Sequence, residues 1–573
     1  MLFSRFDHHP ASHRLREPVE HANAFTATSR RAWLSGRTAG RVEAAIQSGG
    51  RLGPQLAEEL VEALHAWGRD GGAERVSLWS QGLVRGGVDV QRELTSADLT
   101  GELQPAGRVY WDASLAPFIV TQPDGPMVRV PVVRASADGE ALDGKLPLLR
   151  SVSALAAASG DALALLGHED PGYVLPVVRL ARTFVLRDEP QPGLAPGSPQ
   201  AIEECVQACL ENVERELAGI EVVAALTRHG DRHTLELTPA PAAVAGDRLQ
   251  IALDVLTAGA RLHGLECLVE PVARDTWSLW AVDGTNLLDT TDPLRFWLFR
   301  SALQTALDTH GDLLRALACG GFALGVQAEA ALQQLARHGS PDTTAAALPG
   351  DVLEAGALTP LALTILHTSI AGALTDLTRS LRPWLAAGEE REPAVHEVVA
   401  HAARGHLQRS IDPARPIDAT VAPEVFNSLL SEPAVVLFAE HGVLSWRELA
   451  ARRDALIDDY AATLEGAADA AVRAVHTLVL PAVLRRRAQL EDPAALGRLD
   501  RVLEQLQALA RVTNAVVAAA APAGLARARD LGDDVLPLLA DLRVVASHLG
   551  LREAVDALRE PMMLLARGSR TGR

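Results

Sequence analysis

The sequence predicts an α+β fold, and two patterns carry this prediction. Ile202–Leu217 has apolar residues at helical spacing on one face and glutamates largely on the other, which is typical of an amphipathic helix. Short apolar runs with strand character lie around that helix, at Ile220–Leu226, Thr234–Leu237, Leu265–Glu270 and Trp277–Val282. Strands and helices mixed along one stretch of chain indicate a sheet with helices packed on one side.

The N-terminal elements follow from spacing and from glycine. Residues 1–50 are polar and are expected to be loosely structured, apart from a short helix near Val42–Ile46. Apolar residues at helical spacing then predict a helix through Leu56, Leu60, Leu64 and Trp67. A turn at Gly71-Gly72 follows, and Val76–Trp79 is predicted to be a strand.

Later elements are predicted by apolar length and by composition. The longest apolar stretch, Leu358–Leu374, contains His367 and several hydroxyl residues, which is typical of a buried helix and argues against a membrane span. Residues 338–360 are rich in Gly, Pro and Ala and are expected to form a loop with one strand at Asp351–Glu354. After about Trp446, Ala, Leu and Arg recur at helical spacing, so long antiparallel helices are expected.

Composition limits the classes of function. The 573 residues are 48% apolar and 22% charged, which is ordinary for a globular protein of several domains. A net charge of −18 argues against a nucleic-acid-binding surface, because phosphate binding needs clustered cations. Lys145 is the only lysine, and Leu146 follows it where a P-loop requires Ser or Thr, so a P-loop is excluded.

Cysteine usage indicates a reducing compartment. Cys205, Cys209, Cys267 and Cys319 form no CxxC pair, and Cys205 and Cys209 are expected to be buried structural thiols one helical turn apart. The first thirty residues lack the apolar core of a secretory signal. We therefore expect a cytoplasmic protein without a membrane span.

Several segments resemble type III glutamine synthetases, and they occur in the family's order. Thr276–Asp289 (TWSLWAVDGTNLLD) is similar to a family segment that reads roughly NWSLSTDTGVNLLD. Gly139–Ser151 (GEALDGKLPLLRS) is similar to GEALDxKTPLLRS, and Arg108–Phe118 (RVYWDASLAPF) is similar to RGYTAWDPTSPAF. Further similar segments are Trp67–Leu83, Asp312–Arg315, Leu363–Leu381, Leu437–Tyr460 and Leu480–Val483.

The resemblance implies a glutamine-synthetase-like architecture. It consists of a β-grasp-like N-terminal portion, a curved antiparallel-sheet α/β barrel and a C-terminal helical domain. We expect a polar segment at 1–50, the β-grasp-like domain at 51–160, the barrel at 161–430 and the helical domain at 431–573. The resemblance also implies a homo-oligomer of hexameric rings or a dodecamer. A mixed oligomer with an active glutamine synthetase paralogue is the alternative.

Family members bind metal, ATP and glutamate, and the resemblance transfers these roles only in part. The family's metal-binding glutamates correspond to Asp170, Asp231, Glu236, Glu270 and Glu354, with Gly172 at one further glutamate position. Arg274 stands where the family has a histidine near the metal and phosphate. The glycine-rich loop that approaches glutamate, the arginine of the HRLG segment and both cations of the KFEFR strand are missing.

These departures lead to three hypotheses. The first is a chain that has lost most ATP-, metal- and glutamate-binding groups and acts as an oligomeric scaffold or regulatory subunit, with no cofactor expected. The second is a diverged ATP-dependent ligase that joins glutamate or another acid to an amine, using Mg or Mn with ATP. The third is a small-molecule sensor. The ligase requires the carboxylates to converge in one metal-binding funnel, so geometry separates the hypotheses.

Two other histidine patterns are predicted not to bind metal. His396, Glu397 and His401 form HExxxH, one residue longer than the zinc-protease motif, which rotates the second histidine by about 100°. A solvated helix face is the expected alternative. His229 and His233 are four residues apart but fall in a predicted turn and strand, so they are expected to be a chance pair.

Overall fold

The computed structural model describes most of the chain between residues 23 and 488. The described ranges are 23–49, 51–84, 86–168, 172–188, 199–230, 232–270, 273, 275–317, 322–323, 352–407, 423–476 and 480–488, with shorter pieces between 504 and 537. All structural statements below refer to these residues.

A mixed six-stranded sheet forms the N-terminal layer. Its strands are β1 (Arg75–Gln81), β2 (Gly87–Gln91), β3 (Gly101–Gln104), β4 (Gly107–Trp111), β5 (Phe118–Val120) and β6 (Met127–Ala135). The order is β2-β1-β6-β4-β3, with β5 also on β6, and the β1–β6 pair is parallel. A parallel central pair flanked by antiparallel strands agrees with the expected β-grasp-like portion.

Four helices accompany this sheet, at α1 (Ala27–Trp33), α2 (Gly36–Ser48), α3 (Pro54–Asp70) and the short α4 (Ala97–Thr100). Helix α3 begins with proline in its first turn and ends before Gly72, whose φ of 77° suits glycine. Its buried stripe is the predicted one, Leu56, Leu60, Leu64 and Trp67. This stripe packs with Val128 and Val130 of β6 in one hydrophobic core.

The expectation of a loosely structured N-terminal segment is wrong for residues 27–48, which form α1 and α2. Thr26 and Ser35 accept hydrogen bonds from the backbone N–H groups of Ser29 and Thr38, so each helix has a side-chain N-cap. Phe25 and Val42 are fully buried in the N-terminal core. Capping and two buried apolar side chains offset the polar composition.

Two antiparallel sheets form the middle of the chain. Their strands are β7 (Val174–Arg179), β8 (Ala181–Asp188), β9 (Ala224–His229), β10 (Arg232–Leu237), β11 (Ala240–Pro241), β12 (Leu265–Val269), β13 (Asp275–Ala281), β14 (Phe322–Ala323) and β15 (Leu353–Ala355). One sheet has the order β12-β8-β10-β9 and the other β11-β7-β13-β15-β14. Buried Leu180 separates β7 from β8 and thereby links the sheets.

Helices cover these sheets and form the rest of the described chain. They are α5 (Lys145–Leu166), α6 (Pro199–Gly219), α7 (Ala242–Leu262), α8 (Pro293–Leu317), α9 (Pro360–Ala386), α10 (Arg391–Leu407), a 3-10 helix (Pro423–Leu430), α11 (Glu432–Glu440), α12 (Trp446–Ala474) and α13 (Leu480–Ala488). Helix α9 packs against α5, α8 and α10. The α+β class is thus confirmed.

Helices α5 and α9 are long and apolar enough to cross a membrane by length and composition alone. Half of the most apolar window of α5 and 83% of that of α9 are buried inside the protein. Both helices contribute to the main hydrophobic core, as expected for Leu358–Leu374. Core helices of this kind commonly pass such a test.

The predicted strands are found with one shift. Residues 234–237, 265–269 and 277–281 are strands, but the run predicted at Ile220–Leu226 becomes β9 only from Ala224. Glu221 has a φ of 61°, which interrupts extended backbone between α6 and β9. Of the cysteine pair, Cys209 is buried in α6, whereas Cys205 is exposed, so the expectation of two buried thiols is wrong for Cys205.

Candidate functional site

The predicted metal ligands that the structure describes lie on one face of the two middle sheets. Strand β10 alternates, with His233, Leu235 and Leu237 buried, so Arg232, Thr234 and Glu236 lie on the opposite face. Directly opposite residues of paired strands share a face, and Thr234 lies opposite Thr183 of β8. The candidate ligands that the structure describes lie on this face, opposite the buried one.

Glu270 lies directly after β12 and is held to β8 by its backbone, because its N–H donates to the carbonyl of Thr183 at 2.7 Å. Its side chain is only 11% exposed, and one carboxylate oxygen lies 3.2 Å from the Arg232 guanidinium. The Arg232 side chain therefore spans β8 to reach this carboxylate. The charge of Glu270 is balanced by an arginine of the same sheet.

Glu236 is also paired with an arginine, which belongs to the neighbouring sheet. Its carboxylate accepts a hydrogen bond at 3.2 Å from Arg179 at the end of β7. Both side chains are nearly half exposed, so this ion pair contributes little to stability. It does place a permanent positive charge against a predicted metal ligand.

Glu354 lies on the far side of Arg179. Thr276 of β13 is opposite both Arg179 and Glu354, which puts the three residues in one row on one face. Because neighbouring strands lie about 4.8 Å apart, the backbones of Arg179 and Glu354 are separated by about 10 Å. The Glu354 side chain is exposed. We call Arg179, Arg232, Glu236, Glu270 and Glu354 the ion-paired face.

This donor set does not fit a divalent cation. Mg²⁺ and Mn²⁺ take carboxylate oxygens, but Glu236 and Glu270 each have an arginine within 3.2 Å. Among the described residues no group of three or more His, Cys, Asp or Glu side chains could hold a metal ion. Asp170 and Asp231, the other two predicted ligands, lie outside the described residues, as does Arg274.

The segment that most resembles the synthetase family has a structural role. Buried Trp277 donates a hydrogen bond from its indole to Nε2 of His367 at 3.0 Å, and Nδ1 of His367 lies 3.3 Å from the Ser151 hydroxyl. Complete burial lowers the pKa of His367 to about 3, so the imidazole is neutral. This contact joins β13, α9 and α5 in the core.

The same segment continues into a series of turns. Asp283, Asn286 and Asp289 each accept a hydrogen bond from the backbone N–H two residues later. Such Asx turns set a tight backbone path between β13 and α8. These three side chains thus bind the backbone of their own turns.

A buried charge cluster contains the only lysine of the chain. The amine of Lys145 lies 3.0 Å from Asp112, contacts Asp247 and donates to the carbonyl of Ala243. The Gln81 side-chain amide donates to Asp247. We call Gln81, Asp112, Lys145 and Asp247 the Lys145 network.

The Lys145 network joins three parts of the fold, because Gln81 and Asp112 belong to the N-terminal sheet region, Lys145 begins α5 and Asp247 lies in α7. Burial raises the pKa of Asp247 to about 6 against the pull of Lys145. Burial opposes the charge on Lys145, yet its two carboxylate partners raise the pKa of the amine. Sequence reasoning missed this cluster, although a lone lysine inside a family segment could have indicated it.

A second buried contact holds the C-terminal helices against the N-terminal layer. Glu448 of α12 accepts hydrogen bonds from the backbone N–H of Ala141 at 2.5 Å and from Arg150 at 2.9 Å. Arg452, one turn later, donates to the backbone carbonyl of Asp143 at 2.8 Å. We call Ala141, Asp143, Arg150, Glu448 and Arg452 the α12 clamp.

The two additional histidine patterns lie on β9 and β10 and on α10. His233 faces the core and stacks on Phe184 at 5.4 Å between ring centroids, whereas His229 lies opposite Arg232 on the other face. This agrees with a chance pair. In α10, Glu397 pairs with Arg404 at 3.0 Å, and both side chains are about half exposed, which agrees with the expected solvated face.

Comparisons with known proteins find similar glutamine synthetase sequences. A model of the glutamine synthetase C-terminal domain matches residues 417–496, which include α11 and α12. The type-3 glutamine synthetase of Dictyostelium discoideum is 23% identical over 572 residues, and the match covers 77% of each chain. Both findings agree with the resemblance of the individual segments.

Solved structures also match this chain, at lower sequence identity. A Plasmodium falciparum glutamine synthetase has a TM-score of 0.40 at 10% identity, covering 56% of this chain and 75% of that one. A ligand-free GmaS structure has a TM-score of 0.41 at 15% identity, covering 69% of this chain and 95% of that one.

Proposed function

We propose that this chain, a diverged relative of the type III glutamine synthetases, is a non-catalytic oligomeric scaffold or regulatory subunit. The ion-paired face carries this proposal. Two of the three described carboxylates at the family's metal positions are bound to arginines, and the third, that of Glu354, is exposed between two buried residues of β15.

The physical argument rests on what phosphoryl transfer requires. That reaction depends on positioned metal ions and cations that stabilise charge on the transferred group. Arginines beside Glu236 and Glu270 supply positive charge where the metal would have to bind. Loss of one electrostatic group typically costs about 10²- to 10³-fold in rate, and here several groups change together.

The retained segments support the second half of the proposal. Lys145 and Asp112, both in family-like segments, form a buried network, and Trp277 and His367 form another. Residues that hold the fold are kept, whereas those expected to hold substrate are changed. Assembly into rings, alone or with an active paralogue, is the role for which a retained scaffold would be selected.

A diverged ATP-dependent carboxylate–amine ligase, using Mg or Mn, is the second candidate. One observation favours it: Glu236, Glu270 and Glu354 share a single face. Exposed ion pairs are weak, so Arg179 could leave Glu236 when another cation arrives. A small-molecule sensor that uses this face without turnover is the third candidate.

Calorimetric titration with Mg·ATP and Mn·ATP, with and without glutamate, tests the proposal alongside a phosphate-release assay containing ammonium or alkylamines. We expect no phosphate release that depends on both an acid and an amine. Tight nucleotide binding with such release would overturn the scaffold proposal and support the ligase.

Matched variants show whether any residual activity belongs to the ion-paired face. Glu236→Gln and Glu270→Gln remove candidate ligands, whereas Glu266→Gln removes a carboxylate that pairs with Arg187 on the same sheet. Activity lost in the first two variants and kept in the third would identify a real metal site. Equal activity in all three would indicate a contaminant.

A further inference from the structure

A cleft between three helices lies apart from the ion-paired face. It has a volume of about 440 Å³ and is lined by α8, α9 and α10. This volume is within the usual range for small-molecule pockets, about 300–1,000 Å³. We call it the helical cleft.

The floor of the helical cleft is apolar. Ala373 and Leu377 of α9 and Val398 of α10 are buried and form it. In α9, residues 373, 376, 377, 380 and 384 recur at helical spacing, so one face of the helix supplies both floor and wall. An apolar floor can bind a short alkyl chain.

The walls of the helical cleft carry negative charge and an aromatic ring. Asp376 of α9 lines the cleft, as do Glu397 and His401 of α10. Trp384, in the last turn of α9, is 43% exposed, so its ring remains available to a ligand. The carboxylates and the indole form a wall that favours a cation. The negative end of the α9 dipole lies beside Trp384 and adds to this preference.

The arginines that accompany these carboxylates stand on the surface. Asp376 pairs with Arg379 at 2.7 Å, and the two side chains are 72% and 69% exposed. Glu397 pairs with Arg404, also largely in solvent. Exposed pairs of this kind are weak, so a better-placed cation can displace them.

We propose that the helical cleft binds a small organic cation, an alkylammonium ion whose charge lies between Asp376 and Glu397 and whose apolar part rests on the floor beside Trp384. A metal ion is disfavoured, because no group of three suitable donors occurs among the described residues. The proposal is independent of the proposed function, since α9 and α10 carry none of the predicted catalytic positions.

Titration calorimetry with n-butylammonium chloride tests this proposal, with n-butanol and sodium butyrate as neutral and anionic probes of similar size. We expect millimolar binding of the cation and much weaker binding of the other two. Equal binding of butanol, or no binding of butylammonium at any concentration tested, would overturn it.

Three variants with opposite expected effects sharpen the test. Asp376→Asn should weaken butylammonium binding about two- to fivefold, because it removes one exposed carboxylate partner of the ammonium group. Trp384→Leu should weaken it about two- to fivefold through loss of the cation–π contact. Arg379→Gln should strengthen binding, because it removes the guanidinium that pairs with Asp376.

Trp33→Leu is the matched control, since Trp33 is a similarly exposed tryptophan in α1, far from the cleft in sequence. It should leave the affinity unchanged. These positions are largely exposed, so circular dichroism should show the same fold in all variants. Unchanged affinity in both Asp376→Asn and Arg379→Gln would refute the site.

Discussion

At the scale of single residues, buried charge is concentrated where parts of the fold meet. Lys145 is 1% exposed and its two carboxylate partners are at most 9% exposed. A buried ion pair adds little over a well-packed apolar contact, but removing one partner leaves the others buried without compensation. The Lys145 network should therefore be intolerant of single changes.

Lys145→Met is expected to destabilise the protein by about 3–5 kcal/mol, because Asp112 and Asp247 would remain buried together without a cation. Urea unfolding followed by circular dichroism measures this loss. Arg228→Met is the control: its pair with Glu203 is about half exposed and open to solvent, so the cost should be much smaller. Similar costs for the two variants would show that the network contributes no more than a surface pair.

The neutral His367 predicts a loss of stability in acid. The unfolded chain takes up a proton on this residue near its ordinary pKa of about 6.5, whereas burial in the folded protein lowers the pKa to about 3. Stability that is present above about pH 6.5 is therefore lost progressively as the pH falls toward 3. Between pH 7 and pH 5 the loss is about 2 kcal/mol.

His367→Gln should remove this acid dependence while keeping an oxygen that can accept the indole N–H of Trp277. The measurement is the free energy of unfolding of both proteins at pH 7 and pH 5. Asp143 and Asp247, whose pKa values burial raises to about 6, act in the opposite direction by taking up protons on folding. They are common to both proteins and cancel in the difference. An unchanged pH dependence would contradict a buried neutral histidine.

At the scale of elements, the sequence predicted what periodicity can report. The apolar stripe of α3 and the amphipathic α6 were recognisable from spacing and the buried α9 from the length of its apolar stretch, and each is present. The spacing of residues does not reveal which residues of neighbouring strands lie opposite each other. The contact between Arg232 and Glu270 crosses β8, and that between Arg179 and Glu236 joins two sheets, so neither pair could be predicted.

The α12 clamp makes a prediction about one element. Arg452→Met removes the donor to the carbonyl of Asp143 and leaves Glu448 with less compensation, which should cost about 1.5–3 kcal/mol. Hydrogen exchange should become faster in residues 139–150 and in the first turns of α12. Arg453→Met is the neighbouring control, because Arg453 pairs with its exposed neighbour Asp454. Equal exchange in both variants would refute the clamp.

At the scale of the whole molecule, two hydrophobic cores are joined by polar contacts. The N-terminal core contains residues from Phe25 to Val132, and the main core spans the middle sheets and the helices that follow. Arg129 of β6 bridges Asp89 at 2.6 Å and Asp254 of α7 at 2.9 Å, beside the Lys145 network. We expect such directional charged contacts to fix the orientation of one core on the other.

A fixed orientation of the cores matters most for a protein that assembles. If the chain serves as a scaffold, it should form a ring-like particle of many copies, alone or together with an active glutamine synthetase from the same cell. Sedimentation velocity over a hundredfold range of concentration measures the particle mass, and a mixture with the active synthetase tests co-assembly. Lys145→Met should shift the particle toward smaller species at a denaturant concentration that leaves the unaltered protein assembled. A monomer under every condition, with and without the synthetase, would refute the scaffold proposal, because a fold kept for assembly must assemble.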